Sequence, residues 1–421
     1  MVETDWPALS EAFKTVRARS AALSGPLSAE DQALQSMDDV SPMKWHLAHT
    51  TWFWETFVLG EQGVAPFDVD FNYLFNSYYE QIGARHARSR RGMLSRPSLE
   101  RVLDYRCHVD AAMAGLFERA DDGLRARLSP IIALGIAHEE QHQELMATDI
   151  KHVLFQNPLF PKAYDAPAVR SVPPAAPADF VSFEGGLVRV GAGARGFAFD
   201  NERPQAQVWL KPFALADRPV TNAEVAAFIT EGGYAAPSLW LSDGWAQVQA
   251  QARTAPLYWV RREGAWFEFT LHGLQALDPA APAAHLDFYE ADAIAQWLGA
   301  RLPTEAEWEH AANCLGLRPE AGVFLTPRRS PHPQPCQPGS EMKQMFGGVW
   351  EWTRSDYAPY PGFTTLEGAA SEYNGKFMVG QYVLKGGSCA TPPGHVRASY
   401  RNFFPPAAQW QFSGLRLART V

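Results

Sequence analysis

Apolar residues recur at three- and four-residue spacing through much of the first 155 residues, the pattern of helices that bury one face. Short runs rich in small and polar residues separate these segments. The last segment opens with Ser129-Pro130, a dipeptide typical of a helix start. The pattern predicts four long helices packed as a bundle, near residues 4–22, 41–59, 98–120 and 129–155.

The hydrophobic pattern changes after residue 160. Residues 161–178 are rich in proline and alanine, which predicts a semi-rigid linker. From residue 179 to 421, glycine and proline interrupt short apolar runs typical of strands, and helical spacing is clear in only two segments, 221–230 and 288–300. The chain is therefore predicted to be α+β, with a helical domain over 1–160 and a loop-rich α+β domain over 179–421.

Composition narrows the class of protein. The net charge of −9 and the pI of about 5.8 argue against a nucleic-acid-binding surface. No apolar run is long enough to span a membrane, and the N-terminal residues lack a signal-peptide core, so a cytoplasmic protein is expected. The four cysteines are scattered and form no C-x-x-C pair, which argues against a cysteine zinc site or a disulfide framework.

Two predicted helices carry histidines at helical spacing. His138 and His142 lie in HEEQH, and on a helix they are about 40° apart around the axis and about 6 Å apart along it, so both can reach one metal ion. His46 and His49 lie in the aromatic segment KWHLAHTTWFW. Helix bundles build metal sites from facing helices in this way. Neutral histidines suit Fe(II) as well as Zn(II), and ligand type alone does not choose between them.

The pattern H-E-x-x-H is also that of zinc proteases, which require a third ligand downstream. The metzincin spacing would place a histidine at position 148, where the chain has Thr148. A glutamate ligand on a following helix is not evident, because the chain soon reaches the break at Asn157-Pro158. A zinc-dependent hydrolase is therefore the weaker alternative. A non-catalytic binding module is a further alternative, but it does not explain the histidines, whose simplest use is to bind a metal.

Longer segments resemble those of a known family. SPMKWHLAHTTWFWETFVL, FNYLFNSYYEQIGARHARSRRGMLSRPS and HEEQHQELMATDIKH resemble the DinB-like domain of the ergothioneine-pathway sulfoxide synthases, also called hercynine oxygenases. FVSFEGGLVRVGA, GARLPTEAEWEHAA, FGGVWEWTRSDY and SGLRLAR resemble the sulfatase-modifying-factor fold of formylglycine-generating enzyme. The resemblance implies a DinB-like four-helix bundle followed by a C-type-lectin-like sulfatase-modifying-factor domain that closes the active site.

The resemblance also implies an activity. Members of this family are non-haem Fe(II) enzymes that use O₂ as co-substrate to join a thiol sulfur to imidazole C2 of hercynine, forming a sulfoxide. By position, the iron ligands are His49, His138 and His142, while His46 is interpreted as a packing or hydrogen-bonding residue. A close alternative is a selenoneine synthase, which joins a selenosugar to hercynine. The expected partners are therefore small molecules, hercynine and a thiol or selenol donor, with no nucleic acid and no membrane.

Substrate residues follow from the same resemblance. Tyr78 and Tyr79 are the candidate acid or hydrogen donors, because a phenol can deliver a proton without being a strong acid; otherwise they are ordinary core aromatics. Arg88 and Arg91 are expected to grip the carboxylate of the donor, a task suited to forked guanidinium groups. The other expected substrate contacts are Gln141, on nearly the same helix face as His142, and Asn402, Phe403 and Phe404 at the pocket mouth.

Two departures from related sequences limit the activity. In the branch that takes γ-glutamylcysteine, an aspartate occupies the place of Phe404, so cysteine or another small donor is expected here. Formylglycine formation needs two cysteines after the GGS segment, and only Cys389 lies there. Formylglycine-generating activity is therefore not expected.

Overall fold

The computed structural model describes residues 5–165, 175–326, 331–337, 341–366 and 371–421. The four predicted long helices are confirmed, and a short helix follows the second of them. No helix in the described ranges combines the length and the apolar character that crossing a membrane would require. Among the described residues up to position 165, the α-helices are α1 (Trp6–Ser24), α2 (Met43–Trp54), α3 (Phe71–Phe75), α4 (Leu99–Arg119) and α5 (Asp122–Phe155).

Local sequence signals explain where most of these helices begin. Asp5 and Ser98 accept hydrogen bonds from backbone N–H groups in the first turns of α1 and α4. Helix α2 begins directly after Pro42, continues into a π-helical turn over Glu55–Leu59, and is buried at every position from Met43 to Trp54. A helix buried on all sides lies at the centre of its domain. In agreement, α2 packs against both α4 and α5.

The predicted start of α5 at Ser129-Pro130 is wrong. The helix begins at Asp122, and the carboxylate of Asp121 caps it by accepting from the N–H of Leu124 at 2.8 Å. Pro130 therefore lies inside the helix, where its ring removes one backbone donor. The stronger N-terminal cap lies more than two turns earlier, so the proline is accommodated within a helix that has already formed.

Contacts divide the chain into two compact units. The first contains the described residues up to Ala163, together with Arg195–Phe197, Leu366 and 371–372, and the second contains the remaining described residues from Tyr164. Half of the predicted linker, residues 166–174, lies outside the described residues. The residues at which the predicted domains begin and end, 1–160 and 179–421, stay predictions.

The second unit is rich in short strands, as predicted. Its described strands form four small sheets, in which neighbouring strands are antiparallel except for one parallel pair, β8 with β11. The strands are β1 (Phe180–Phe183), β2 (Gly186–Val190), β3 (Ala206–Leu210), β4 (Phe213–Pro219), β5 (Trp259–Arg262), β6 (Ala265–Thr270), β7 (Gly273–Ala276), β8 (Trp350–Asp356), β9 (Tyr382–Lys385), β10 (Asn402–Phe404), β11 (Ser413–Gly414) and β12 (Arg416–Thr420). The sheet orders are β1-β4-β12, β10-β9-β8-β11, β2-β3 and β5-β6-β7.

The second unit has more helix than predicted. The two predicted helices are present as α6 (Asn222–Thr230) and α8 (Phe288–Trp297). The prediction of only two was wrong, because α7 (Ser242–Gln251) and α9 (Glu305–Cys314) also form. Helix α9 carries a capping box in which the side chains of Thr304 and Glu307 each bond the other residue's backbone N–H. That T-x-x-E signal is visible in the sequence and was missed.

Candidate metal centre

Three histidines converge inside the first unit. His49 of α2 and His138 and His142 of α5 are buried, and each offers one ring nitrogen, all within 4.8 Å of one another. Nε2 of His49 lies 3.1 Å from Nε2 of His138. Nitrogens about 2.1 Å from one ion and about 90° apart around it would be separated by about 3 Å. The separation of His49 and His138 therefore fits two ligands of one ion, and all three residues predicted as metal ligands lie close enough together to form one candidate site.

The proton positions on these rings also suit a metal. Nδ1 of His49 lies 2.6 Å from the backbone oxygen of Phe75, and because a carbonyl only accepts, His49 carries its proton on Nδ1. Its Nε2 is left with the lone pair that a metal requires. Burial lowers the pKa of His138 to about 3 and holds those of His49 and His142 well below the ordinary value. All three rings are neutral at pH 7, the state in which histidine binds metals.

Two tryptophans hold the ring of His49. Trp45 stacks against it with centroids 4.6 Å apart and planes 12° apart, and Trp52 does so at 5.6 Å and 18°. These residues are four positions before and three after His49, so the helix itself places them beside it. Because both indoles are buried, the imidazole has little freedom to rotate.

A buried guanidinium lies next to this stack. Arg91 is 4% exposed, lies 3.3 Å from the ring centroid of Trp45, and donates to the hydroxyl oxygens of Ser41 at 2.9 Å and Ser77 at 3.2 Å. Its Nε has no hydrogen-bond partner, and within the part of the chain that the structure describes Arg91 makes no ion pair. Burial, followed by the charges of Arg88 and Arg85, lowers its pKa well below the usual value. The charge of Asp149 offsets this only in part. A buried cation without an ion pair favours the binding of an anion.

The predicted tyrosine pair is close to the same aromatic cluster. Tyr78 and Tyr79 stack on each other with centroids 4.6 Å apart, and Tyr79 is fully buried against Trp52 at 5.7 Å. Asn76 fixes the turn before them, because its amide oxygen accepts from the N–H of Tyr79 and its amide nitrogen donates to the carbonyl of Tyr79. Tyr79 is therefore separated from His49 by a single indole ring, that of Trp52.

Glu139, the first glutamate of HEEQH, faces away from the three histidines. Glu139 is fully buried and pairs with Arg17 at 3.2 Å and Arg106 at 3.3 Å. Ser20 and Trp54 donate to the same carboxylate at 2.6 and 2.9 Å. Burial alone would raise the pKa of Glu139, but the two arginines and these donors outweigh burial and hold it at about 2. Glu139 is thus unsuited to act as the general base that a zinc protease requires.

The remaining residues predicted to contact substrate differ in exposure and lie in both units. Gln141 is half-buried on α5, directly before His142, and Arg88 is exposed, with its guanidinium donating to the backbone oxygen of Asp39. Asn402, Phe403 and Phe404 form β10 in the second unit, where Phe403 stacks on Tyr357 with centroids 4.0 Å apart. The substrate contacts assigned to these five residues stay predictions.

Several residues around the three histidines were not predicted from the sequence. The spacing of Trp45 and Trp52 around His49 was visible, because positions four before and three after share a helix face. The carbonyl of Phe75, by contrast, is a backbone group that no sequence pattern marks. Asp149 is likewise unremarkable in sequence, yet its carboxylate lies 3.0 Å from Nε2 of His46.

Comparisons with known families match this two-part organisation. Residues 12–146 match the DinB superfamily. Residues 166–322 and 335–421 match the family described as the sulfatase-modifying factor enzyme 1-like domain. Together the two matches account for most of the chain, in the order that the sequence predicted.

Curated relatives resemble the chain over both parts. A protein named hercynine oxygenase from Mycobacterium tuberculosis is 32% identical over 412 residues, covering 90% of this chain and 91% of that protein. A hercynine oxygenase from Mycolicibacterium smegmatis is 36% identical over 312 residues, covering 69% of this chain and 71% of that protein. Ergothioneine biosynthesis protein 1 from Schizosaccharomyces pombe is 27% identical, over 53% of this chain and 28% of that protein.

Proposed function

The chain belongs to the hercynine oxygenase family, and from this premise we propose that it is a sulfoxide synthase of ergothioneine biosynthesis. It joins the sulfur of cysteine, or of γ-glutamylcysteine, to imidazole C2 of hercynine in an O₂-dependent oxidation. The observation that carries the proposal is the convergence of His49, His138 and His142 as neutral rings within one buried cluster. Fe(II) is the proposed metal, and when bound it would supply O₂ activation and hold the thiol and hercynine close together.

The proposed tasks of the protein are orientation and proton delivery. Trp45 and Trp52 keep the ring of His49 in one plane, so that the metal is held in one position. Arg91 is the proposed partner of the donor carboxylate, because it is a buried cation without an ion pair among the described residues. The phenols of Tyr78 and Tyr79 are the proposed source of the proton or hydrogen that the oxidation requires.

The reaction is tested by anaerobic reconstitution with Fe(II), followed by O₂ and hercynine. Cysteine, γ-glutamylcysteine and a selenosugar are supplied in separate vials, and products are identified by mass spectrometry. A hercynyl sulfoxide adduct of either thiol supports the proposal. A selenium adduct alone would make the chain a selenoneine synthase on the same scaffold. No adduct in any vial, with zinc-dependent peptide hydrolysis instead, would overturn it.

Replacing Arg91 by methionine should weaken use of an anionic donor without removing the metal. Losing a hydrogen-bonded ion pair costs about 1.5–3 kcal/mol, so the KM for the thiol donor should rise about 10- to 100-fold. Metal content should stay at the wild-type level, because Arg91 contacts Trp45 and two serines rather than the histidines. Steady-state kinetics at saturating hercynine, together with metal analysis, measure both.

Arg88 is the matched comparison for Arg91. It lies three residues earlier and is exposed, so Arg88→Met tests whether a neighbouring charge acts in the same way. An equal rise in KM in both variants would assign the carboxylate to a shared pair of arginines. An unchanged KM in Arg91→Met would remove Arg91 from the donor site.

Exchanging each tyrosine for phenylalanine should separate the two phenols. Tyr79→Phe is expected to lower kcat by about 10²- to 10⁴-fold, the range for loss of a general acid, with little change in metal affinity. Tyr79 is the expected proton donor because it is fully buried beside Trp52, whereas Tyr78 is half-buried. Tyr78→Phe is the control, and the reverse ranking of the two kcat values would assign the role to Tyr78.

A further inference from the structure

His46 connects the metal cluster to a buried carboxylate. Nδ1 of His46 lies 2.8 Å from Nδ1 of His142, and Nε2 of His46 lies 3.0 Å from Oδ2 of Asp149. The same Asp149 oxygen accepts from the backbone N–H of Ser41 at 2.8 Å. His46, His142 and Asp149 are all buried. Asp149, His46 and His142 therefore form a continuous hydrogen-bonded chain that ends at a proposed metal ligand.

Donor and acceptor rules assign the protons along this chain. A carboxylate oxygen accepts, so Nε2 of His46 carries a proton and donates it to Asp149. In the neutral ring, Nδ1 of His46 is then an acceptor, and the hydrogen at the 2.8 Å contact comes from Nδ1 of His142. His142 is thereby left with its lone pair on Nε2, the nitrogen that its contact with His46 does not occupy.

We propose that His46 and Asp149 are positioning residues that hold His142 in the tautomer and ring orientation required for metal binding. The inference rests on the proposed function in one respect, that His142 binds a metal. His46 accepts the hydrogen bond from Nδ1–H of His142, just as the carbonyl of Phe75 accepts the hydrogen bond from Nδ1–H of His49. Both ligands then present Nε2, one through a backbone acceptor and the other through a side-chain relay. If His46 acted only in packing, an aromatic ring of similar size at this position would be expected to keep the metal affinity.

Two substitutions of His46 separate positioning from packing. His46→Phe keeps an aromatic ring in the buried space but removes the acceptor for His142 and the donor to Asp149. His46→Asn loses more volume, but its amide oxygen can occupy the place of Nδ1 and accept from His142. A packing role predicts the larger defect in the asparagine variant, and a positioning role predicts it in the phenylalanine variant.

Metal affinity is measured on the full-length chain with Fe(II), without oxygen, by competition with a chelator. His46→Phe should bind Fe(II) about 10- to 100-fold more weakly than the wild type, the usual effect of removing the partner of a ligating histidine. His46→Asn should recover most of that loss. His285→Phe is the matched control, because it makes the same exchange at a fully buried histidine of the second unit and should leave affinity unchanged.

A spectroscopic measurement reports the tautomer directly. In the Zn(II)-loaded protein labelled with ¹⁵N-histidine, the slowly exchanging imidazole N–H groups are expected to include Nδ1–H of His142. That resonance should be absent or in fast exchange in His46→Phe, and should return in His46→Asn. If His46 acted only in packing, its substitution would not change the Nδ1–H resonance of His142.

The outcomes distinguish this inference from the proposed function. If the wild-type chain binds neither Fe(II) nor Zn(II), the proposed metal centre fails. If the wild type binds Fe(II) and folded His46→Phe binds it equally well, the metal centre stands and the positioning relay is wrong. If His46→Asn is weaker than His46→Phe, packing outweighs positioning and the relay is also wrong.

Discussion

His138→Ala is expected to abolish iron binding and product formation together. The ring of His138 supplies one of three buried ligand nitrogens, and its Nε2 lies 3.1 Å from that of His49. Removing a ligand should cost more than the roughly 10- to 100-fold in affinity that outer-shell changes cost. The measurements are metal content after anaerobic loading and the yield of hercynyl sulfoxide in a single incubation.

The same helix offers a control for this substitution. His152 lies on α5 as well, is outside the proposed ligand set, and has its Nδ1 2.6 Å from the hydroxyl of Ser36. His152→Ala should keep both iron and activity. That result would show that the effect of His138→Ala does not come from the loss of any histidine on α5. Full iron content and full activity in folded His138→Ala would refute the proposed ligand set.

Glu139→Leu is expected to destabilise the fold strongly. Removing the carboxylate would leave Arg17 and Arg106 as buried cations that have lost a partner, and breaking a buried pair in this way costs about 3–5 kcal/mol. Ser20 and Trp54 would lose their acceptor as well. Urea denaturation of the metal-free chain, followed by the far-UV signal of the helices, measures the loss.

The neighbouring glutamate provides the comparison. Glu140 lies one residue further, retains 16% of its side-chain exposure, and pairs with Arg19 at 3.5 Å. Glu140→Leu should change stability by no more than about 1 kcal/mol, as for most partly exposed ion pairs. If Glu139→Leu were as stable as wild type and yet inactive, Glu139 would have a chemical role, and the zinc hydrolase interpretation of HEEQH would return.

The HEEQH segment divides its residues between two sides of α5. His138, His142 and Glu139 are close in sequence, but the histidines and Glu139 face different parts of the first unit. Because a residue on a helix is rotated by about 100° from the one before it, Glu139 faces α1 and α4, while His138 faces His49. The short pattern shared with zinc proteases thus serves metal binding on one face and charge burial on the other.

Local sequence information predicted most of the helical architecture. Regular apolar spacing was sufficient for the long helices, because amphipathic periodicity depends only on positions close together in the chain. The wrong start at Pro130 has the same origin, because Ser129-Pro130 is a local start signal and the residue that caps the helix is Asp121. In the second unit, α9 was missed even though its Thr304 capping box lies within four residues.

The sequence alone therefore determined the order of elements, the α+β class and the pair His138 and His142, whose spacing on one helix face depends only on helix geometry. Tertiary structure decided the remainder, because burial and hydrogen bonding bring together groups distant in the chain. It brought His49 to the pair, left Arg91 as a buried cation and linked His46 to Asp149 across 103 residues. Such contacts depend on how separate helices pack, which no local pattern encodes.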